Sequence, residues 1–262
     1  MPPATLPVTS AILSHLPAEL PELERQLRAL VQQESPSDVP AAVNAAADLV
    51  QQFAAPLAPR VKRYRQRHFG DVLELRFGPA RSRQKPLLLL GHLDTVWPLG
   101  TLATMPLRIQ EGALYGPGVL DMKAGVAMAL AALRTLAALQ IRRPVTLLLV
   151  SDEEIGSTVS RPITERLALA AQAVLVLEPA QGLACKTARK GVGHYELHVS
   201  GVAAHAGVDF ERGHSAVREL ARLVETVAGM TDLKRGLTVN PGVIAGGTRS
   251  NVVAAEAHAE ID

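Results

Sequence analysis

The chain has 262 residues, 48% of them hydrophobic, enough for one or two domains with a large core. Lys and Arg number 27 against 25 Asp and Glu, and a net charge of +2 makes no electrostatic case for nucleic acid or an anionic membrane. The single cysteine, Cys185, excludes an internal disulfide and is compatible with a reducing compartment.

The opening MPPATLPVTSAILSHLPAEL has no basic segment leading into a continuous apolar core. No apolar run in the chain approaches the ~18 residues of a membrane helix, so it reads as soluble and cytoplasmic. Leu20, Leu23, Leu27 and Leu30 recur at helical spacing and predict a helix over residues 18–33. A second follows over 39–53, after the break at Ser35-Pro36. Residues 64–77 read as a hairpin about Phe69-Gly70-Asp71, and 86–93 (PLLLLGHL) as a buried strand. The basic run RVKRYRQRH, residues 60–68, carries charge on both faces of an extended segment, which fits a solvated hairpin better than a phosphate contact. A long Ala/Leu helix over 122–139, a second buried strand over 145–150, a helix over 161–170 and a third strand over 173–177 complete the alternation. Continuous apolar strands separated by helices predict an α/β fold with a mainly parallel sheet and helices on both faces.

From Gly191 the pattern changes. Residues 194–199 and 255–261 alternate polar with apolar, 237–244 reads as a further strand, and 215–230 as an amphipathic helix. One polar face per strand suits an antiparallel sheet with helices on one side. The expected domains are therefore 1–191 and 192–262, the second a partial α+β unit, because its last strand alternates up to Asp262 with no closing turn.

Residues able to bind metal fall at strand ends: His92 and Asp94, Asp121, the run Asp152-Glu153-Glu154, and Glu178. In an open α/β sheet the carboxyl ends of parallel strands converge on one crevice. His92 and Asp94 are two apart and point to one side of an extended segment, where a carboxylate can fix the tautomer of a ligating imidazole. A capping Asp beside a buried His is the bland alternative there, and helix capping is the alternative for Asp121. Adjacent carboxylates raise one another's pKa unless a cation compensates them; stabilisation by the dipole of the next helix is the competing account. Glu178 precedes Pro179, which holds it extended, and caps nothing evident. One imidazole among many carboxylates suits zinc or a similar divalent ion pair, with an unspent glutamate free to take a proton from water. The residues alone leave open which of Glu153 and Glu154 does which.

Five ordered stretches now resemble the M20 metallopeptidases, a family that includes glutamate carboxypeptidases, acetylornithine deacetylase, succinyl-diaminopimelate desuccinylase and aminoacylase-1. They are GHLDTV (91–96), GPGVLDMKAG (116–125), SDEEIGS (151–157), LEP (177–179) and RKGVGHYELHVSGVAAHAG (189–207). The resemblance implies a zinc-exopeptidase-like catalytic domain and a lid domain through which the family dimerises. It implies His92 and Glu178 on one zinc, Glu154 on the other and Asp121 bridging both. Glu153 is then the general base, Asp94 orients His92, and a cis peptide follows Asp121. His205 corresponds to the histidine that reaches a partner subunit's active site to hold the oxyanion, and Asn251 to an asparagine that contacts substrate.

The activity implied is hydrolysis of an amide next to a free carboxylate, with a small peptide or N-acyl amino acid as substrate. The family completes its second metal position with a histidine further downstream. The expectation is accordingly a C-terminally truncated member. Two Zn2+ belong to a full-length subunit and one to this chain, with Co2+ or Mn2+ able to substitute. Ala124, where many members carry glycine, is a smaller departure. The alternative is a catalytically impaired member serving as a metal-binding or dimerising module. A nucleotide-binding domain has little support, because no glycine-rich phosphate loop follows the first strand.

Overall fold

The computed structural model describes residues 5–180, 182 and 184–262, and only the backbone of residues 5–7. Contacts divide it into two compact units, Met1–Ala184 and Cys185–Asp262. Among the described residues no helix is long and apolar enough to cross a membrane.

The first unit contains, in order, α1 (Thr5–Gln32), α2 (Pro40–Ala54), β1 (Arg60–Tyr64), β2 (Val72–Phe77), β3 (Leu87–His92), α3 (Thr101–Thr104), β4 (Arg108–Gln110), β5 (Ala113–Tyr115), α4 (Ala124–Ala138), β6 (Val145–Val150), α5 (Arg161–Ala170) and β7 (Ala173–Val176). Its main sheet runs β1-β2-β6-β3-β7. β6, β3 and β7 pair in parallel, β2 runs antiparallel to β6 and β1 antiparallel to β2, so β2 alone opposes the common direction. Side chains alternate across β6: Leu147 and Leu149 pack with α1, α2 and α4, whereas Leu148 and Val150 pack with Ile163 and Leu167 of α5. A strand covered on both faces has no polar side to show, and every residue of β6 is buried.

Three departures from the sequence pattern have physical causes. α1 begins well before residue 18 and runs through Pro17 and Pro21. The two prolines are four apart and exposed, so they share one solvent-facing stripe where water satisfies the carbonyls deprived of a partner. The short β4–β5 hairpin leaves no mark in the sequence pattern, since two three-residue strands leave too little room for periodicity. β7 is apolar yet exposed, with Leu175 and Val176 about half accessible, because it forms the sheet's edge and, among the described residues, none of its side chains joins an apolar cluster.

Register positions the chemistry. His92 at the end of β3 lies level with Val150 at the end of β6, and Leu90 with Val176 at the end of β7. The residues that follow each strand therefore emerge along a single edge. Gly125 brings α4 against the exit of β7: a Cβ there would lie 2.2 Å from the Leu177 carbonyl oxygen. Gly118, at φ +68°, turns the chain into the irregular segment Val119–Lys123, where Asp121 has non-helical φ and ψ and its peptide bond to Met122 is cis, as the resemblance implied.

The second unit has a sheet ordered β8-β10-β9, formed by β8 (Tyr195–Ser200), β9 (Pro241–Gly246) and β10 (Glu256–Ile261), all antiparallel. One helix, α6 (Ala216–Ala228), packs Ala216, Leu220 and Val224 on Leu197, Val199, Ala257 and Ala259. Its N-cap, Ser215, accepts a hydrogen bond from the Arg218 N–H at 3.2 Å.

Candidate metal centre

His92 is almost wholly buried at the end of β3. Its Nδ1 lies 2.9 Å from the backbone oxygen of Asp94 and 3.6 Å from that residue's Oδ1. A carbonyl oxygen only accepts, so Nδ1 carries a proton and Nε2 is the nitrogen turned to the cluster. Nε2 lies 3.0 Å from Asp121 Oδ1 and 3.4 Å from Glu178 Oε1. Two groups of residues bring one ligand atom each within 4.8 Å of the others: His92, Asp121 and Glu154, and His92, Glu153 and Glu178. Both use the same imidazole, and a single open nitrogen serves one ion, so among the described residues one position has a ring ligand.

The electrostatics favour a cation there. Burial by itself disfavours a charged imidazole, but the carboxylates of Asp94 and Glu178 outweigh that and push His92 up to about 11. The field that retains this proton is one that a divalent ion would answer with two charges. Glu153 is raised above the ordinary carboxyl range, first by burial and then by Glu178, Asp94 and Asp121, with His92 opposing. Glu154 is raised likewise, by burial and then by Asp121. An oxygen-rich donor set with one imidazole, partly deprived of water, fits a divalent metal.

Asp94 is fully buried and accepts from three donors. Ser37 Oγ donates to Oδ2 at 2.7 Å, and the N–H groups of Glu153 and Glu154 approach Oδ1 and Oδ2 at 3.2 Å each. Burial alone would raise its carboxyl, yet the His92 ring and the Ser37 hydroxyl hold it below the usual range. Asp152, unassigned from sequence, is buried and turned away from the cluster. Its Oδ2 accepts from the Val159 and Ser160 N–H groups at 2.7 and 3.3 Å, closing the loop into α5.

The structure thus brings together His92, Asp94, Asp121, Glu153, Glu154 and Glu178. His205 and Asn251 lie in the second unit and are neighbours of each other. The Ala206 N–H donates to the backbone oxygen of Asn251 at 2.9 Å, and His205 Nδ1 accepts from the Gly207 N–H at 3.1 Å. Two residues that sequence reasoning did not single out also belong to the first group's surroundings. Ser37 is one; the other is Lys123, fully buried, whose Nζ donates to the Gln33 oxygen at 2.8 Å. Burial pulls the Lys123 amine down to about 8 against the opposing attraction of Glu34. The only sequence signal for Ser37 is Ser-Pro-Ser between two helices, which reads as a helix break and nothing more.

A mainly parallel sheet with helices on both faces, collecting an imidazole and several carboxylates at its carboxyl edge, defines an α/β protein with a group of residues able to hold a divalent metal. Residues 88–259 match the model of Peptidase family M20/M25/M40, and the chain belongs to that family. It is 34% identical over 182 residues to carboxypeptidase G2 of Pseudomonas sp. (strain RS-16), which covers 68% of this chain and 44% of that protein. It is 33% identical over 189 residues to acetylornithine deacetylase of Myxococcus xanthus, covering 67% and 48% respectively. The chain spans about half the length of these curated relatives. A tripeptidase from Staphylococcus aureus subsp. aureus Mu50 shares the fold, with a TM-score of 0.72 at 21% identity over 91% of this chain and 64% of that one.

Proposed function

We propose that the protein is a metal-dependent hydrolase that cleaves an amide bond next to a free carboxylate, in a small peptide or an N-acyl amino acid. The observation that carries this reading is the cluster around His92 Nε2, with carboxylate oxygens of Asp121 and Glu178 at 3.0 and 3.4 Å and Glu153 within reach. His92, Asp121 and Glu178 would hold one Zn2+, and Asp121 with Glu154 would contribute to a second. Bound there, the metal supplies Lewis-acid polarisation of the scissile carbonyl and acidifies a water molecule. Asp94 keeps the His92 ring in place. Glu153, its carboxyl raised by burial and by its neighbours, takes the proton of the attacking water and passes it to the leaving amine. As the resemblance implies, His205 of a second copy would hold the oxyanion and Asn251 would contact the substrate, with the second unit as the dimer surface.

The test pairs metal content with turnover. Glu153→Gln is expected to lower hydrolysis of N-acyl amino acids or dipeptides by roughly 10²- to 10⁴-fold while bound zinc stays at the wild-type level. Loss of zinc in that variant would move Glu153 from base to ligand. A second reading, a metal-binding module without turnover, is favoured by the single imidazole of the cluster. Stoichiometric zinc with no hydrolysis of any such substrate would select it.

A further inference from the structure

We infer that Ser37 is a positioning residue of the centre: its hydroxyl sets the orientation of the Asp94 carboxylate, and through it both the His92 ring and the turn Glu153–Ile155. The inference rests on the reading of the cluster as a divalent-metal site. Asp94 stands between two parts of that cluster, close to the His92 ring on one side and bonded to the Glu153 and Glu154 N–H groups on the other. Of its three donors, Ser37 alone is at a short distance, 2.7 Å against 3.2 Å for each backbone N–H. The two oxygens of a carboxylate turn together. The donor that holds Oδ2 therefore sets where Oδ1 lies relative to His92 Nδ1, 3.6 Å away.

Ser37 is itself held firmly. The segment 33–37 runs beside the residues that follow β3: Ser35 Oγ donates to the Leu93 oxygen at 2.6 Å, the Thr95 N–H to the Ser35 oxygen at 2.9 Å, and the Ser37 N–H to the Thr95 oxygen at 3.2 Å. Further back, Lys123 Nζ binds the Gln33 oxygen at 2.8 Å, and the Glu34 carboxylate accepts from the Gly100 and Leu102 N–H groups at 2.7 and 2.8 Å. Anchored on both sides, the segment cannot follow Asp94 if the carboxylate turns. Without the hydroxyl, Oδ2 keeps one long backbone bond, and both the ligand ring and the backbone carrying two cluster glutamates lose their common brace.

The 262-residue chain is stripped with a chelator and titrated with Co2+, following the visible absorption of the bound ion, for wild type and for Ser37→Ala, Ser37→Thr and Ser37→Cys. Melting of each metal-free protein is recorded in parallel. Ser37→Ala is expected to weaken Co2+ binding by about ten- to a hundredfold and to alter the band shape. Ser37→Thr, which keeps the hydroxyl, stays within about threefold of wild type, and Ser37→Cys, a weak donor, falls between. Ser37→Ala binding within about twofold of wild type overturns the inference and leaves the metal reading intact, as does Ser37→Thr binding as weakly as Ser37→Ala. If the alanine variant does not fold, the cysteine variant decides: wild-type affinity there overturns the inference. Wild type that takes up no Co2+ overturns the metal reading, and this inference with it.

Discussion

Two histidine–carboxylate contacts of equal length, 3.0 Å, occur in the two units: His92 with Asp121 in the first and His198 with Glu196 in the second. The two histidines differ in burial and in the number of carboxylates around them. His92 is 1% exposed and faces several carboxylates, whereas His198 and Glu196 are 68% and 72% exposed. On β10, His258 sits opposite His198 and stacks on it, with ring centroids 5.9 Å apart. Water and salt screen an exposed pair, so it contributes little to stability. The His92 ring is shielded from water, although Asp121 beside it is 59% exposed, and the negative charge gathered around that ring calls for a proton or a metal ion. Contact geometry alone does not make a site; burial and an excess of one charge do.

Removing each histidine in turn separates the two contacts. His92→Ala should abolish Zn2+ or Co2+ binding at micromolar concentrations, a loss of at least about 1,000-fold, because no other described imidazole enters the cluster. Isothermal titration would expose the error if the variant bound as wild type does. Gly125→Ala should come next. A Cβ 2.2 Å from the Leu177 oxygen must push α4 from the exit of β7, costing about 1–3 kcal/mol in urea unfolding of the metal-free chain. Because Glu178 follows Leu177, metal affinity should fall with it.

Asp152→Ala separates burial from membership of the cluster. This buried carboxylate accepts from the Val159 and Ser160 N–H groups, so its loss should cost about 1–2 kcal/mol of stability. Metal affinity measured below the melting range should change by less than about threefold. A collapse of binding equal to that of His92→Ala would place Asp152 in the cluster after all. The smallest effect belongs to the exposed pair: His198→Ala should shift stability by less than about 0.5 kcal/mol and leave metal binding untouched. A loss of bound metal in that variant would show that the second unit has its own site.

Much of the first unit was legible in the chain itself. The run VTLLLV predicted β6 to the residue, because a strand buried on both faces is apolar at nearly every position, here all but Thr146, and its neighbours, Pro144 and Ser151, end the run. Apolar composition did not reveal that β7 lies exposed, since whether an apolar strand is central or at an edge depends on what pairs with it. Asp152 shows the same limit among the charged residues. In the chain it is one of three adjacent carboxylates, and only the turn Glu153–Ile155 sends it away from Glu153 and Glu154.

The alternation of helices and strands, the residue types able to bind a divalent ion and the ordered motifs of the family are all written locally in periodicity and spacing. Only in the folded chain does Nε2 rather than Nδ1 of His92 face the carboxylates, Asp152 brace a loop, and Ser37 hold Asp94 across 57 positions of chain. Parallel register brings the strand ends level, and a hydrogen bond between residues so far apart leaves no periodic trace. Such contacts depend on distances that the fold creates.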